Sequence, residues 1–140
     1  MGFNKKYLGV LLLVFASGCV EHEDIRLNIG NSSENNLHIA FAKDTALNYP
    51  ETLTFNEPAD KATYTRNVLF QTTENISMRG KNYWPDLVQQ SENAKLHLYV
   101  ITDHVFRAND WETIRTKKLY KRVDYSLPQL EKLNWVIDIN

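Results

Sequence analysis

The one thiol in the chain, Cys19, directly follows Ala16-Ser17-Gly18. A thiol there can be alkylated, and three small residues before it let a peptidase hold an extended backbone with little side-chain bulk. The other side chains able to do chemistry are more scattered. Four histidines occur, His22, His38, His97 and His104. His97 and His104 lie seven apart, with Asp103 beside the second. A strand end and the following loop could bring these ligands together, but the spacing matches no metal pattern, and satisfied or exposed histidines are the simpler expectation. Ser126 lacks both the Gly-flanked elbow and an identifiable base that a nucleophile needs; helix capping accounts for it better. Glu57 and Asp60 fall in a turn, where solvated charge is the default. Nothing indicates the two carboxylates across a cleft that glycoside hydrolysis requires. The sequence therefore predicts no catalytic residue, no metal ligands and no cofactor, and an enzyme is the last of the readings.

Three tryptophans could form a stacking platform for a sugar. Trp111 precedes Ile114 on a helical face and Trp135 precedes Ile137 on a strand, so both are expected to pack inward. Trp84 lies among Asn82, Tyr83 and Pro85. Tyr83 and Trp84 are therefore the candidate ligand-binding pair, on the expectation that Trp84 is exposed.

The elements that position Cys19 are clear. Lys5 and Lys6 precede an apolar run over residues 7–15, and small residues follow. This is the order of an export signal. The eight apolar-rich residues 8–15 are far short of the roughly 20 that span a bilayer as a helix. Cysteine after Ala-Ser-Gly resembles a bacterial lipobox, whose thiol receives a diacylglyceryl group before cleavage. The expected organisation is a signal over residues 1–18, a lipid-bearing flexible tether over residues 19–24, and one domain over residues 25–140.

Cleavage before Cys19 leaves 122 of the 140 residues, enough for one core. Removing the two signal lysines from 16 basic residues leaves 14 against 17 acidic ones, a formal charge of −3. No basic stripe points to nucleic acid. With Cys19 acylated, the domain has no disulfide and must be held by packing.

Residues 25–29 and 37–42 alternate apolar and polar around a Gly-Asn-Ser-Ser turn, which predicts two strands joined as a hairpin. Residues 52–55, 63–65 and 76–79 are short strand candidates, and residues 68–70 are ambiguous. A helical turn is expected near Pro85. Residues 96–101 are apolar on both faces, which predicts a central strand covered on both sides. Asp103 is expected to end it. Asn109 or Asp110 can cap a helix through Arg115, and Ser126 with Gln129 has capping-box spacing. Trp135, Ile137 and Ile139 mark a last strand. The expected fold class is mainly β, a two-layer sandwich-like domain with two short helices near the C-terminus; a small α+β arrangement is the alternative.

Several stretches carry a family resemblance. They are Leu98-Tyr99-Val100-Ile101, then Asn109-Asp110-Trp111-Glu112-Thr113-Ile114-Arg115, then the run from Tyr125-Ser126-Leu127-Pro128-Gln129 through Leu133-Asn134-Trp135. Asn31-Ser32-Ser33 and Tyr49-Pro50-Glu51-Thr52 add to them. The chain resembles small lipoproteins of gut Bacteroidetes that carry no known activity, although Asp138-Ile139-Asn140 replaces the Tyr-Pro ending expected there. The acidic residues Glu21, Glu23 and Asp24 resemble the signal that sends such lipoproteins to the outer leaflet of the outer membrane. The resemblance implies a surface-facing, lipid-anchored location and brings no activity with it; the first reading of the chain is a non-catalytic accessory or binding domain. The alternative is a carbohydrate- or protein-binding component of an outer-membrane uptake system.

Overall fold

Alternating apolar side chains set which face of each strand is buried. The computed structural model describes residues 22–48, 52–54 and 64–140. In chain order its strands are β1 (Glu23–Asp24), β2 (Asn28–Asn31), β3 (Leu37–Ala42), β4 (Arg66–Val68), β5 (Thr73–Asn75), β6 (Met78–Arg79), β7 (Lys95–Thr102), β8 (Lys121–Ser126) and β9 (Val136–Ile139). The helices are α1 (Tyr83–Gln90), α2 (Asp103–Ala108), α3 (Trp111–Thr116) and α4 (Leu127–Lys132). Strands dominate, as the periodicity predicts.

The strands form three sheets. β1 pairs with β6, β2 lies between β5 and β9, and the largest sheet runs β4-β3-β7-β8. The largest sheet is antiparallel throughout, whereas β2 and β9 run parallel. Leu37, Ile39 and Phe41 of β3 and Leu96, Leu98 and Val100 of β7 meet Ile29, Ile137 and Ile139 of the smaller sheet in one core. Trp84, Leu87 and Val88 of α1 and Leu130 of α4 complete it. The opposite face of β3 and β7 is also covered: Tyr99 packs with Ala40, Ala42 and Leu47, and Ile101 packs with Phe106 and Ile114. β7 is thus the two-sided central strand its composition predicts.

The structure corrects four expectations. β2 and β3 are not a hairpin; they belong to different sheets, and residues 32–36 arch between them. Asn31, almost fully buried, holds that arch by donating to the carbonyls of Asn35 at 2.8 Å and Val68 at 3.0 Å. A hairpin and an arch between facing sheets bury the same alternate side chains, so periodicity does not distinguish them. The expected strand over residues 25–29 is interrupted, and Ile25 is 62% exposed. α3 and α4 are the two helices expected near the C-terminus and α1 forms where a turn near Pro85 is expected, but Asp103 begins a further helix, α2, instead of a loop. Glu23 and Asp24, expected within a flexible tether, instead pair with Arg79 and Met78, and Asp24 is buried. The signal, Cys19, the residues 56–60 turn with Glu57 and Asp60, and part of the residues 52–55 strand lie outside the described residues; Thr52 bridges to Ala42.

Candidate ligand cleft

The sequence places Trp84 at the surface, and the structure overturns that. Trp84, Leu87 and Val88 fall at i, i+3 and i+4 on α1 and form its inner stripe. Trp84 is fully buried, its Nε1 donates to the Ile76 carbonyl at 3.0 Å, and its ring packs 5.2 Å from that of Phe41. No sugar can stack on it. Tyr83 is half-buried with its ring edge-on to Trp84, and burial raises its hydroxyl pKa. The helical spacing held the signal; the polar neighbours of Trp84 in sequence are the first turn of α1. Trp111 is also only half-buried, but Tyr64 stacks on it at 5.1 Å.

The histidines separate into individual roles. His97 is fully buried, with Nδ1 2.9 Å from Asp124 Oδ1 and Nε2 2.9 Å from the Glu92 carbonyl. Asp103 partners His38, not His97: His38 Nε2 lies 2.8 Å from Asp103 Oδ1, and the imidazole stacks on Phe106 at 3.7 Å. Arg107 donates to the other Asp103 oxygen at 2.6 Å. The hydrogen bond from His38, then that from Arg107, holds the Asp103 carboxyl below its ordinary pKa. His22 and His104 are exposed. Both buried imidazoles are thus committed to carboxylates: His38 ties the start of α2 to β3, and His97 joins β7 to β8 while holding the Glu92 carbonyl. Among the described residues no three His, Asp or Glu side chains gather as a metal site.

Ser126 stands at the N-cap of α4 in a capping box with Gln129, as its spacing predicts. Its N–H donates to Gln129 Oε1 at 2.8 Å and its hydroxyl donates to the same oxygen at 3.1 Å. Pro128 occupies the first turn, where its missing N–H costs nothing.

An apolar cleft lies elsewhere, where β3 begins and β7 ends. It encloses about 360 Å³. Leu37 of β3, Val100 of β7, Val105 of α2, Leu119 and Ile139 of β9 make its apolar wall. Ser33, Asn35, Thr102, Tyr120 and Lys121 supply polar groups. The turn after α3 aims Leu119 and Tyr120 here: Lys118 takes a left-handed φ of 53°, and the Leu119 N–H returns to the Ile114 carbonyl at 3.0 Å. Tyr99 buttresses Tyr120 edge-on at 5.0 Å from the face of β7 opposite Val100. Burial raises the pKa of both phenols, so each stays a neutral hydroxyl at physiological pH. The Tyr99 hydroxyl donates to the Asp44 carbonyl at 2.8 Å. The cleft has the volume and apolar character of a small-ligand site, and its polar groups can orient a ligand. No local motif announces it, because the wall is assembled from five separate segments.

No family model matches this chain, and no curated protein or solved structure matches it.

Proposed function

We propose that this protein is a lipid-anchored, non-catalytic binding domain. Export and acylation at Cys19 place it on a membrane. The cleft between β3, β7 and α2 takes a small, largely apolar ligand with one polar or anionic group for Lys121. The observation that carries the binding reading is the cleft itself, open at one end of the large sheet and walled by Leu37, Val100, Val105, Leu119 and Ile139. The lipoprotein reading is supported by the lipobox order of Ala16-Ser17-Gly18-Cys19 and by the resemblance to Bacteroidetes lipoproteins. That resemblance favours the outer membrane, with the domain facing outward. Among the described residues no helix is long and apolar enough to cross a membrane.

A second reading, a protein-binding component of an uptake system, is favoured by Leu69 and Phe70. They are 46% and 52% exposed, and the Phe70 N–H donates to Asn36 Oδ1 at the same end of the fold as the cleft. Methyl NMR of the lipidated protein in nanodiscs, titrated with indole as a small apolar probe, tests the first reading. Saturable shifts are expected at Leu37, Val100, Val105 and Leu119, but not at Val88 in the closed core. Val105→Trp should abolish them. Absence of saturable shifts in the wild type would remove the ligand reading.

A further inference from the structure

The folded body starts closer to Cys19 than its sequence suggests. The His22 carbonyl accepts the Gly80 N–H at 2.7 Å, and Glu23 pairs with Arg79. Gly80 sits at φ 113°, a conformation open to glycine and strained for other residues, so this junction is specifically shaped. Three Cα steps separate Cys19 from His22, a reach of at most about 11 Å. The headgroup layer of one leaflet takes up roughly 5–8 Å of that. A flexible tether to residue 25 would double the reach and let the domain tumble freely. A junction at His22 halves that reach.

We propose that this short tether seats one end of the domain on the lipid headgroups and points the cleft away from the membrane. The inference rests on the lipid-anchor reading of Cys19. The seated end is the face around residues 79–82 with Ile25. Lys43, Arg79 and Lys81 line a hollow of about 320 Å³ there, beside Tyr83 and Asp86. Their ammonium and guanidinium groups suit lipid phosphates. Glu23 and Asp86 bring negative charge to the same end, so the covalent reach, not net attraction, sets the orientation. The apolar side chain of Ile25, exposed beside Asp24, suits the headgroup boundary.

Strand direction then places the cleft. Leu37 at the start of β3 lines the cleft, and Lys43, just past its end, lines the hollow at the seated face. Six residues of strand separate them by about 20 Å. β7 runs the opposite way and agrees: Val100 and Thr102, at its end, line the cleft.

The test uses the full-length lipidated protein in vesicles containing a headgroup-nitroxide lipid. Because an acylated Cys19 is unreactive, a cysteine added by Lys81→Cys or Glu34→Cys takes a bimane label alone. Bimane at position 81 should be quenched several-fold more than at position 34, which is exposed on the arch at the cleft end. A ten-residue Gly/Ser insertion after Val20 should bring the two towards equal quenching. Equal quenching without the insertion, or an unchanged ratio with it, would overturn the inference while leaving the anchor intact. Failure to acylate Cys19, seen as bimane on Cys19 itself, would overturn the anchor reading and this inference with it.

Discussion

The Asp24 carboxylate accepts the backbone N–H of Trp84 at 3.0 Å through Oδ2. Its Oδ1 accepts the Arg26 Nε at 2.7 Å, and the Arg26 guanidinium lies 5.3 Å over the Trp135 ring. Asn82, at the N-cap of α1, makes no side-chain cap bond, so a residue 60 positions away satisfies an N-terminal N–H of this helix. One buried carboxylate thereby joins β1 to the core tryptophan and, through Arg26, to the residue that leads into β9.

Asp24→Ala should cost on the order of 1–3 kcal/mol, because the Trp84 N–H is left buried and unpaired. Asp24→Asn keeps an oxygen acceptor and should lose less. Urea midpoints of the two variants decide it, and equal losses would show that the N–H acceptor is not what matters.

Leu98 is fully buried in β7 between the two sheets. Leu98→Ala should cost roughly 2–5 kcal/mol, through lost transfer energy and the cavity left behind. A denaturant midpoint within about 0.5 kcal/mol of wild type would place Leu98 outside a close-packed core.

The Asp103 carboxyl is held low by His38 and Arg107, so folding favours its ionised form. That contribution is complete above the ordinary carboxylate pKa of about 4 and is lost as pH falls through the lowered value. Asp103→Asn should therefore lower the urea midpoint near neutral pH and converge with wild type in acid. A deficit that persists undiminished below pH about 2 would mean that geometry, not charge, is responsible.

Ser126→Ala should lose on the order of 1 kcal/mol, whereas Ser126→Asp should lose less, because aspartate can still cap the helix although it cannot donate to Gln129 Oε1 as the hydroxyl does. A serine-directed fluorophosphonate probe should leave the wild type unlabelled. Stoichiometric labelling at Ser126 would make it a nucleophile and remove the non-catalytic reading.

These sites also show what a sequence can carry. The β7 core, the α3 cap at Asp110 and the α4 box were legible because each depends on residues within one turn or one strand. Asp110 accepts the Thr113 N–H at 2.6 Å, at the spacing its sequence suggests. The partners of Asp24, the arch after β2 and the cleft were not legible, because each depends on which strand lies beside which. Trp84 is hard to place for a different reason: its polar neighbours in sequence suggest exposure, while Trp84, Leu87 and Val88 form a helical i, i+3, i+4 stripe.

Cys19 carries the central claim, and acylation measures it most directly. Cells expressing the wild type or Cys19→Ala are fed an alkyne palmitate, and the purified proteins are compared by label and intact mass. Lipid anchoring predicts label on the wild type only, with a mature mass that begins at Cys19 and includes the diacylglyceryl group. Equal labelling of Cys19→Ala, or a wild-type chain with an unmodified thiol, would contradict it.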